Sequence, residues 1–259
     1  MTERSQSPVG APCWTDLWTS DVDVARSFYA DLFGWEALEP SPEFGGYFMF
    51  ARDGVPVAGG MGPMGDLPAT NRWRIYLSTD DLTGTLASVV GAGGVVTLPA
   101  MAVADLGSQA ILSDPSGADL GAWEPGTFPG FTVLNEPGAP SWFELLAHDY
   151  AGAVAFYRSV FRWDVDVVAD VDGFRYSTML DPRSDGELAG IGDASSLLQD
   201  GESAYWSTYW EVDDVDGAID RVSELGGSVV EPGHDTPFGR LATVEDPLGA
   251  RFKLRTSPR

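Results

Sequence analysis

Cysteine is almost missing from this chain: Cys13 stands alone among 259 residues. A single thiol forms no internal disulfide, and a cysteine-built zinc site is excluded. Histidine is nearly as scarce, with only His148 and His234. Basic residues are few as well. Fifteen Lys and Arg face 39 Asp and Glu, for a net charge of −24. Such a field repels nucleic acid and anionic membrane surfaces, so neither is expected as a partner. The acidity reads as a solubility feature, with a cationic ligand as the sharper alternative. No apolar run approaches the roughly 18 residues of a membrane-spanning helix. The opening MTERSQSPVGAP lacks the apolar core of a signal peptide, and residues 1–10 are expected to be a disordered tail. With the lone cysteine, this makes a cytoplasmic location the expectation.

What is present is hydrophobic content of 44%, enough for a sizeable core, and a sequence written twice. FYADLFGW at 28–35 returns as FYRSVFRW at 156–163. The match extends backwards through Pro12/Pro140, Trp14/Trp142, Asp16/Glu144, Leu17/Leu145 and Asp21/Asp149. It resumes in RWRIYLSTDDL and YWSTYWEVDDV, in GAGGVV and ELGGSVV, and in ILSDPSGADL and TVEDPLGARF. Long-period self-similarity of this kind marks equivalent domains. The expected boundaries are 11–125 and 138–256. The Pro- and Gly-rich stretch 126–137 reads as a linker.

Each copy divides again. In the first pattern a strand leads through an Asp-containing turn into an amphipathic helix. Val24, Ala25, Phe28, Tyr29 and Leu32 share one face at helical spacing. Ser20 or Asp21 can cap its start, and Gly34 can end it in a left-handed conformation. The second pattern runs from WRIYLS through Asp80/Asp81 to a helix closed by Gly93-Gly94, and recurs in the second half. Short strands follow every helix. The unit is strand–helix–strand–strand–strand, and it occurs about four times.

An Asp-led helix bearing FYxxxFGW, then DDL or DDV, then GG, then DPxGA, in paired units, resembles the vicinal oxygen chelate (VOC) superfamily of glyoxalases, bleomycin-resistance proteins and dioxygenases. The likeness covers nearly the whole chain and is nearest to two-domain "hydroxylase"-like members. It implies an α+β fold of tandem VOC domains, each of paired βαβββ modules forming a cupped mixed sheet with helices outside. Within that fold the Phe- and Tyr-rich helix faces read as core.

The resemblance also implies a divalent metal held in the cup by His, Gln or Glu. Carried over one at a time, the donor positions fall on Trp14, Arg74, Gly121 and Gly60 or its neighbours in the first half. In the second half they fall on Trp142, Ser207, Lys253 and Gly190 or its neighbours. None is a competent ligand, and Lys253 would repel a cation. No cofactor is therefore expected, since the ligand positions for a divalent metal are not filled. A non-family site combining His148 or His234 with Glu144 or Asp235 is the remaining metal option.

Strand alternation places Trp14, Asp16 and Trp18 on one face, and Trp142, Glu144, Leu146 and His148 on one face of the matching strand. Family geometry turns these faces inward, with Arg74, Tyr76 and Trp123 in the first cup and Tyr209, Arg251, Lys253 and Arg255 in the second. A carboxylate among indoles needs a partner, water or a ligand. Asp16 either pairs with Arg74 to seal the sheet, or orients with it a polar ligand stacked on Trp14 and Trp18. Glu144 stands likewise with Lys253 or Arg251. The expected function is binding of a small, partly aromatic or apolar molecule in a Trp-lined cup without the family metal. Trp14, Trp18, Arg74, Tyr76, Trp123, Trp142, Tyr209 and Lys253 would line it. The alternative is a glyoxalase- or hydroxylase-type enzyme, metal-dependent or using Asp16 and Glu144 as acid–base catalysts. A third option leaves one cup as a structural remnant. Monomer and homodimer are both open.

Overall fold

Four aspartates start the four helices of the computed structural model, which describes residues 6–65, 69–198 and 202–258. Asp21 accepts hydrogen bonds from the backbone N–H groups of Asp23 and Val24 at the head of α1 (Val22–Phe33). Asp81, Asp149 and Asp214 do the same for α2 (Leu82–Gly91), α3 (Tyr150–Phe161) and α4 (Val215–Glu224). Each cap satisfies donors that the helix cannot, worth about 1 kcal/mol apiece. α1 ends at Gly34, which takes a left-handed φ of 70° while its N–H reaches the carbonyl of Ala30.

The first half supplies β1 (Pro12–Trp18), β2 (Glu36–Ala37), β3 (Phe48–Arg52), β4 (Val55–Met61), β5 (Arg72–Ser78), β6 (Val95–Val103), β7 (Gly107–Ser113) and β8 (Asp119–Pro125). The second supplies β9 (Pro140–Ala147), β10 (Val165–Val171), β11 (Phe174–Leu180), β12 (Glu187–Asp193), β13 (Tyr205–Glu211), β14 (Ser228–Thr236), β15 (Gly239–Glu245) and β16 (Arg251–Thr256). Two eight-stranded sheets result, in the orders β2-β3-β4-β1-β5-β8-β7-β6 and β10-β11-β12-β9-β13-β16-β15-β14. The patterns are identical. In each, two central strands run antiparallel and each has a parallel partner on its outer side. The architecture is α+β, as the repeated strand–helix–strand–strand–strand unit implies.

The core does not follow the repeat boundary. One buried cluster joins Ile75, Leu77 and Leu112 of the first half to Phe143, Leu145, Tyr157 and Trp206 of the second. The other joins Leu17, Tyr29 and Trp35 to Trp210, Val222 and Phe252. The helix-bearing faces of the two sheets are therefore packed on each other. The repeated octapeptide makes this joint. Tyr29 donates to Asp246 Oδ2 at 3.1 Å and accepts from Trp73 Nε1 at 3.0 Å. Tyr157 donates to Asp114 Oδ2 at 3.1 Å and accepts from Trp206 Nε1 at 2.9 Å. Trp35 and Trp163 donate across the joint to the carbonyls of Gly138 and Gly10. The aspartates belong to the two DPxGA turns, so that motif faces the opposite half. Each buried aromatic contributes roughly 1.5–3 kcal/mol from burial.

Two expectations need correction. The tail expected to be disordered over 1–10 is packed from Ser7 onward, where Ser7 is buried and Gly10 N–H reaches the carbonyl of Ser78. Residues 1–5 lie outside the described residues. The linker is also more than a spacer. Phe131 is fully buried, stacks on Phe143, and its N–H reaches the carbonyl of Cys13.

Candidate functional site

β1 and β9 alternate as their sequences require. Thr15, Leu17, Phe143 and Leu145 turn toward the joint, leaving Trp14, Asp16, Trp142 and Glu144 on the helix-free faces. In the first cup, Trp14 Nε1 donates to Tyr47 Oη at 2.8 Å, and that hydroxyl donates to Asp16 Oδ1 at 2.6 Å. Asp16 is only 8% exposed. Burial pushes its carboxyl above the usual carboxylate range; the hydroxyls of Tyr47 and Tyr76, the Arg74 charge and Trp14 pull it back only in part. The Asp16–Arg74 salt bridge weighed from the sequence is not formed. Arg74 lies across the ladder from Asp16 but pairs with Asp119 at 2.7 Å, and its guanidinium sits 5.6 Å from the Trp18 ring centroid. Alternation fixes the face of a side chain, and Asp119 on the neighbouring β8 is within easier reach.

The second cup repeats this design with a different charge balance. Trp142 Nε1 donates to Tyr176 Oη at 2.9 Å. Glu144 Oε2 accepts from Lys253 Nζ at 2.7 Å and from the Tyr209 hydroxyl at 2.7 Å. Burial acts to raise the Glu144 pKa. The Lys253 ammonium and the Tyr209 and Tyr176 hydroxyls outweigh it and hold the carboxyl below its ordinary value. Burial likewise acts to lower Lys253, and Glu144 reverses it, so Lys253 stays charged. Asp16 and Glu144 occupy equivalent places, yet one is shifted up and the other down.

The places where the resemblance puts metal donors are filled by other groups. A Cβ added at Gly121 would run into the ring of Tyr76. One added at Gly59 or Gly190 would run into the hydroxyl of Tyr47 or Tyr176. The missing side chains are the space those tyrosines occupy. Among the described residues, no three His, Cys, Asp or Glu side chains gather as metal ligands. His148 is half-buried and His234 exposed, and they bond to the carbonyls of Glu202 and Pro232, so the non-family His site is not assembled among the described residues. The residues present do not fit a divalent metal.

Tyr47 and Tyr176 were missed by strand alternation. Their signal was the repeat itself, since GGYFMF and GFRYSTM align at nearly the same offset as the rest. The linker residue Phe128 was missed too. Its ring lies edge-on to Trp14 at 4.9 Å and 6.1 Å from Trp123, whose Nε1 donates to the Phe128 carbonyl. Trp14 and Trp123 are thus covered rather than lining an open cup. A cleft of about 230 Å³ opens instead at the end of the second cup, bounded by Leu134, Trp142, Leu188, Glu187 and Arg255.

Paired βαβββ modules in tandem, with a polar cluster inside each sheet, define a vicinal oxygen chelate architecture. The chain belongs to the glyoxalase/bleomycin resistance protein/dioxygenase superfamily, whose model matches residues 140–254, while a glyoxalase-like domain model matches residues 14–121. It is 32% identical to "Putative glyoxylase CFP32" of Mycobacterium tuberculosis, over 98% of this chain and 97% of that one. It is 35% identical to the anthracycline biosynthesis protein DnrV of Streptomyces peucetius, over 95% of this chain and 92% of that one. Among solved structures, a Mn(II)-bound glyoxalase from Novosphingobium aromaticivorans matches 96% of this chain and 83% of its own, with a TM-score of 0.65 at 16% identity. That likeness carries the fold alone. No helix among the described residues is long and apolar enough to cross a membrane.

Proposed function

We infer that this protein is a metal-independent binder of a small, partly aromatic molecule, held in the second cup beside Trp142. One observation carries the reading: the donor positions of the family are Gly121, Gly190, Lys253 and indoles, with tyrosines in the space donors would need. The exposed edge of the cup is a cleft where Leu134, Trp142, Phe143 and Leu188 stand beside the polar side chains of Asn135, Ser141, Glu187 and Arg255, so that a ring and a polar group can be held together. The relatives named for anthracycline biosynthesis support an aromatic ligand. The first cup, with Phe128 over its tryptophans, serves as structure.

The test combines metal analysis of protein purified without added metal with titration of an aromatic ligand, followed by tryptophan fluorescence. The expected result is no stoichiometric metal and saturable quenching that a chelator leaves unchanged. One metal per chain, or quenching abolished by chelator, overturns the reading.

A second reading rests on the raised pKa of Asp16. In it the protein is a glyoxalase- or hydroxylase-type enzyme with Asp16 as acid–base group. Turnover lost in Asp16→Asn and insensitive to chelator would support it. Glu144 suits that role less well, because Lys253 keeps it ionised.

A further inference from the structure

Each position in one cup has a counterpart in the other. Trp14 pairs with Tyr76 and Tyr76 with Gly121; Trp142 pairs with Tyr209 and Tyr209 with Lys253. Two residues further along, Ser78 pairs with Trp123 and Glu211 with Arg255. Arg255 is therefore the counterpart of Trp123. In the first cup the corner between Trp14 and Trp123 is occupied by the Phe128 ring. In the second cup the same corner, between Trp142 and Arg255, is the cleft of about 230 Å³. Trp142 makes no ring contact among the described residues, whereas Trp14 makes two.

The Arg255 guanidinium borders this cleft. Its Nε and Nη1 reach the carbonyls of Phe238 and Ser141 at 3.2 and 3.5 Å. Arg251 and Lys253 on the same strand each hold a carboxylate, but Arg255 makes no ion pair among the described residues. Its cross-strand neighbour Glu211 is engaged by the N–H and hydroxyl of Ser257. On the far wall, Glu187 accepts from Thr178 Oγ1 at 2.7 Å.

We propose that this corner binds a one-ring aromatic carboxylate, with its ring against Trp142 as Phe128 lies against Trp14, and its carboxylate on Arg255. The proposal rests on the aromatic-binder reading above and names the class of ligand. The chain supplies to the first cup the ring for which the second leaves room. The volume agrees: a cavity of about 150 Å³ already admits benzene, and drug-sized ligands take about 300 Å³ or more. A guanidinium fork matches a carboxylate with two parallel hydrogen bonds. The net charge of −24 repels anions in general, and Arg255 is the cation in the lining of this cleft that offsets it locally.

The test titrates the intact protein with benzoate and with benzamide, its neutral isostere, and follows the tryptophan Nε1–H signals by ¹H–¹⁵N NMR, with Trp142→Phe assigning the Trp142 signal. Benzoate is expected to move that signal saturably and to bind roughly tenfold or more tightly than benzamide. Arg255→Gln is expected to reduce benzoate to the benzamide level and to leave benzamide unchanged, which also shows that the variant is folded. Equal binding of the two probes, or benzoate binding unaffected by Arg255→Gln, overturns the carboxylate assignment alone. Silence of the Trp142 signal toward both probes overturns the site, and the broader reading is then decided by the chelator-insensitive titration.

Discussion

Replacing Glu144 with glutamine keeps the size of the side chain and removes its charge. Lys253 would then be left with Nζ in a site where only 13% of its side chain is exposed, facing an amide at the place of the carboxylate 2.7 Å away. Removing one partner of a buried ion pair costs about 3–5 kcal/mol, because the remaining charge loses its compensation. For a chain of this size each kcal/mol lowers Tm by roughly 2–4 °C, so Glu144→Gln is expected to melt roughly 6–20 °C below the parent. The pH dependence gives a sharper signature. The folded pKa of Glu144 lies below its ordinary 4.5, so its contribution is present above that value and is lost as pH falls through the folded pKa. Lys253 is raised above 10.5, so its contribution is present below that value and is lost as pH rises through the folded pKa. The gap between parent and variant should be flat in between and narrow toward both extremes. Glu144→Leu with Lys253→Met should recover most of the loss, since apolar packing often equals a buried pair. Circular dichroism melts across pH measure all three. A loss under about 1 kcal/mol, or a gap that persists unchanged at low pH, refutes the reasoning.

Asp16→Asn should behave in the opposite way. The folded pKa of Asp16 lies above 3.8, so its ionisation weakens the fold as pH rises from that value through the folded pKa. The variant is expected to be at least as stable as the parent at neutral pH, with a flatter stability profile in that window, read by denaturant unfolding at several pH values. Tyr29→Phe and Tyr157→Phe each remove a hydroxyl from a buried aspartate of the opposite half. Each should cost about 1–3 kcal/mol, and urea unfolding should show both halves destabilised together. Phe128→Ala empties the corner between Trp14 and Trp123. Phe128 is only half-buried, so the change should cost about 1–3 kcal/mol, less than a core Phe, and benzamide added to the variant should recover part of the lost Tm.

The fold was legible because two signals repeat. Asp21, Asp81, Asp149 and Asp214 mark helix starts, and the duplicated octapeptide fixes equivalence of the halves. Alternation also grouped Trp14 with Asp16 and Trp142 with Glu144, and tyrosine hydroxyls bond to each of the four. It could not choose partners: Arg74 went to Asp119, because both ends of a ladder row and the next strand are within reach of a long side chain. Internal similarity describes each half by itself, so it hid that Tyr29 and Tyr157 bond to aspartates of the other half. Gly60 or its neighbours, Gly121 and Gly190 looked like vacant ligand positions, and only the surrounding side chains show that Tyr47 fills the space at Gly59, Tyr76 that at Gly121 and Tyr176 that at Gly190. Phe128 sits in a stretch whose composition reads as linker, where no periodicity signals burial.

The most direct measurement is anomalous scattering from crystals of the protein soaked in Mn(II). The expected map shows no manganese beside Trp14, Arg74 and Gly121, nor beside Trp142, Ser207 and Lys253, with Tyr76 still against Gly121 and Lys253 still on Glu144. A manganese peak in either cup, with Tyr76 or Lys253 swung aside to admit it, would contradict the view that rings and an internal ion pair have taken the place of the metal.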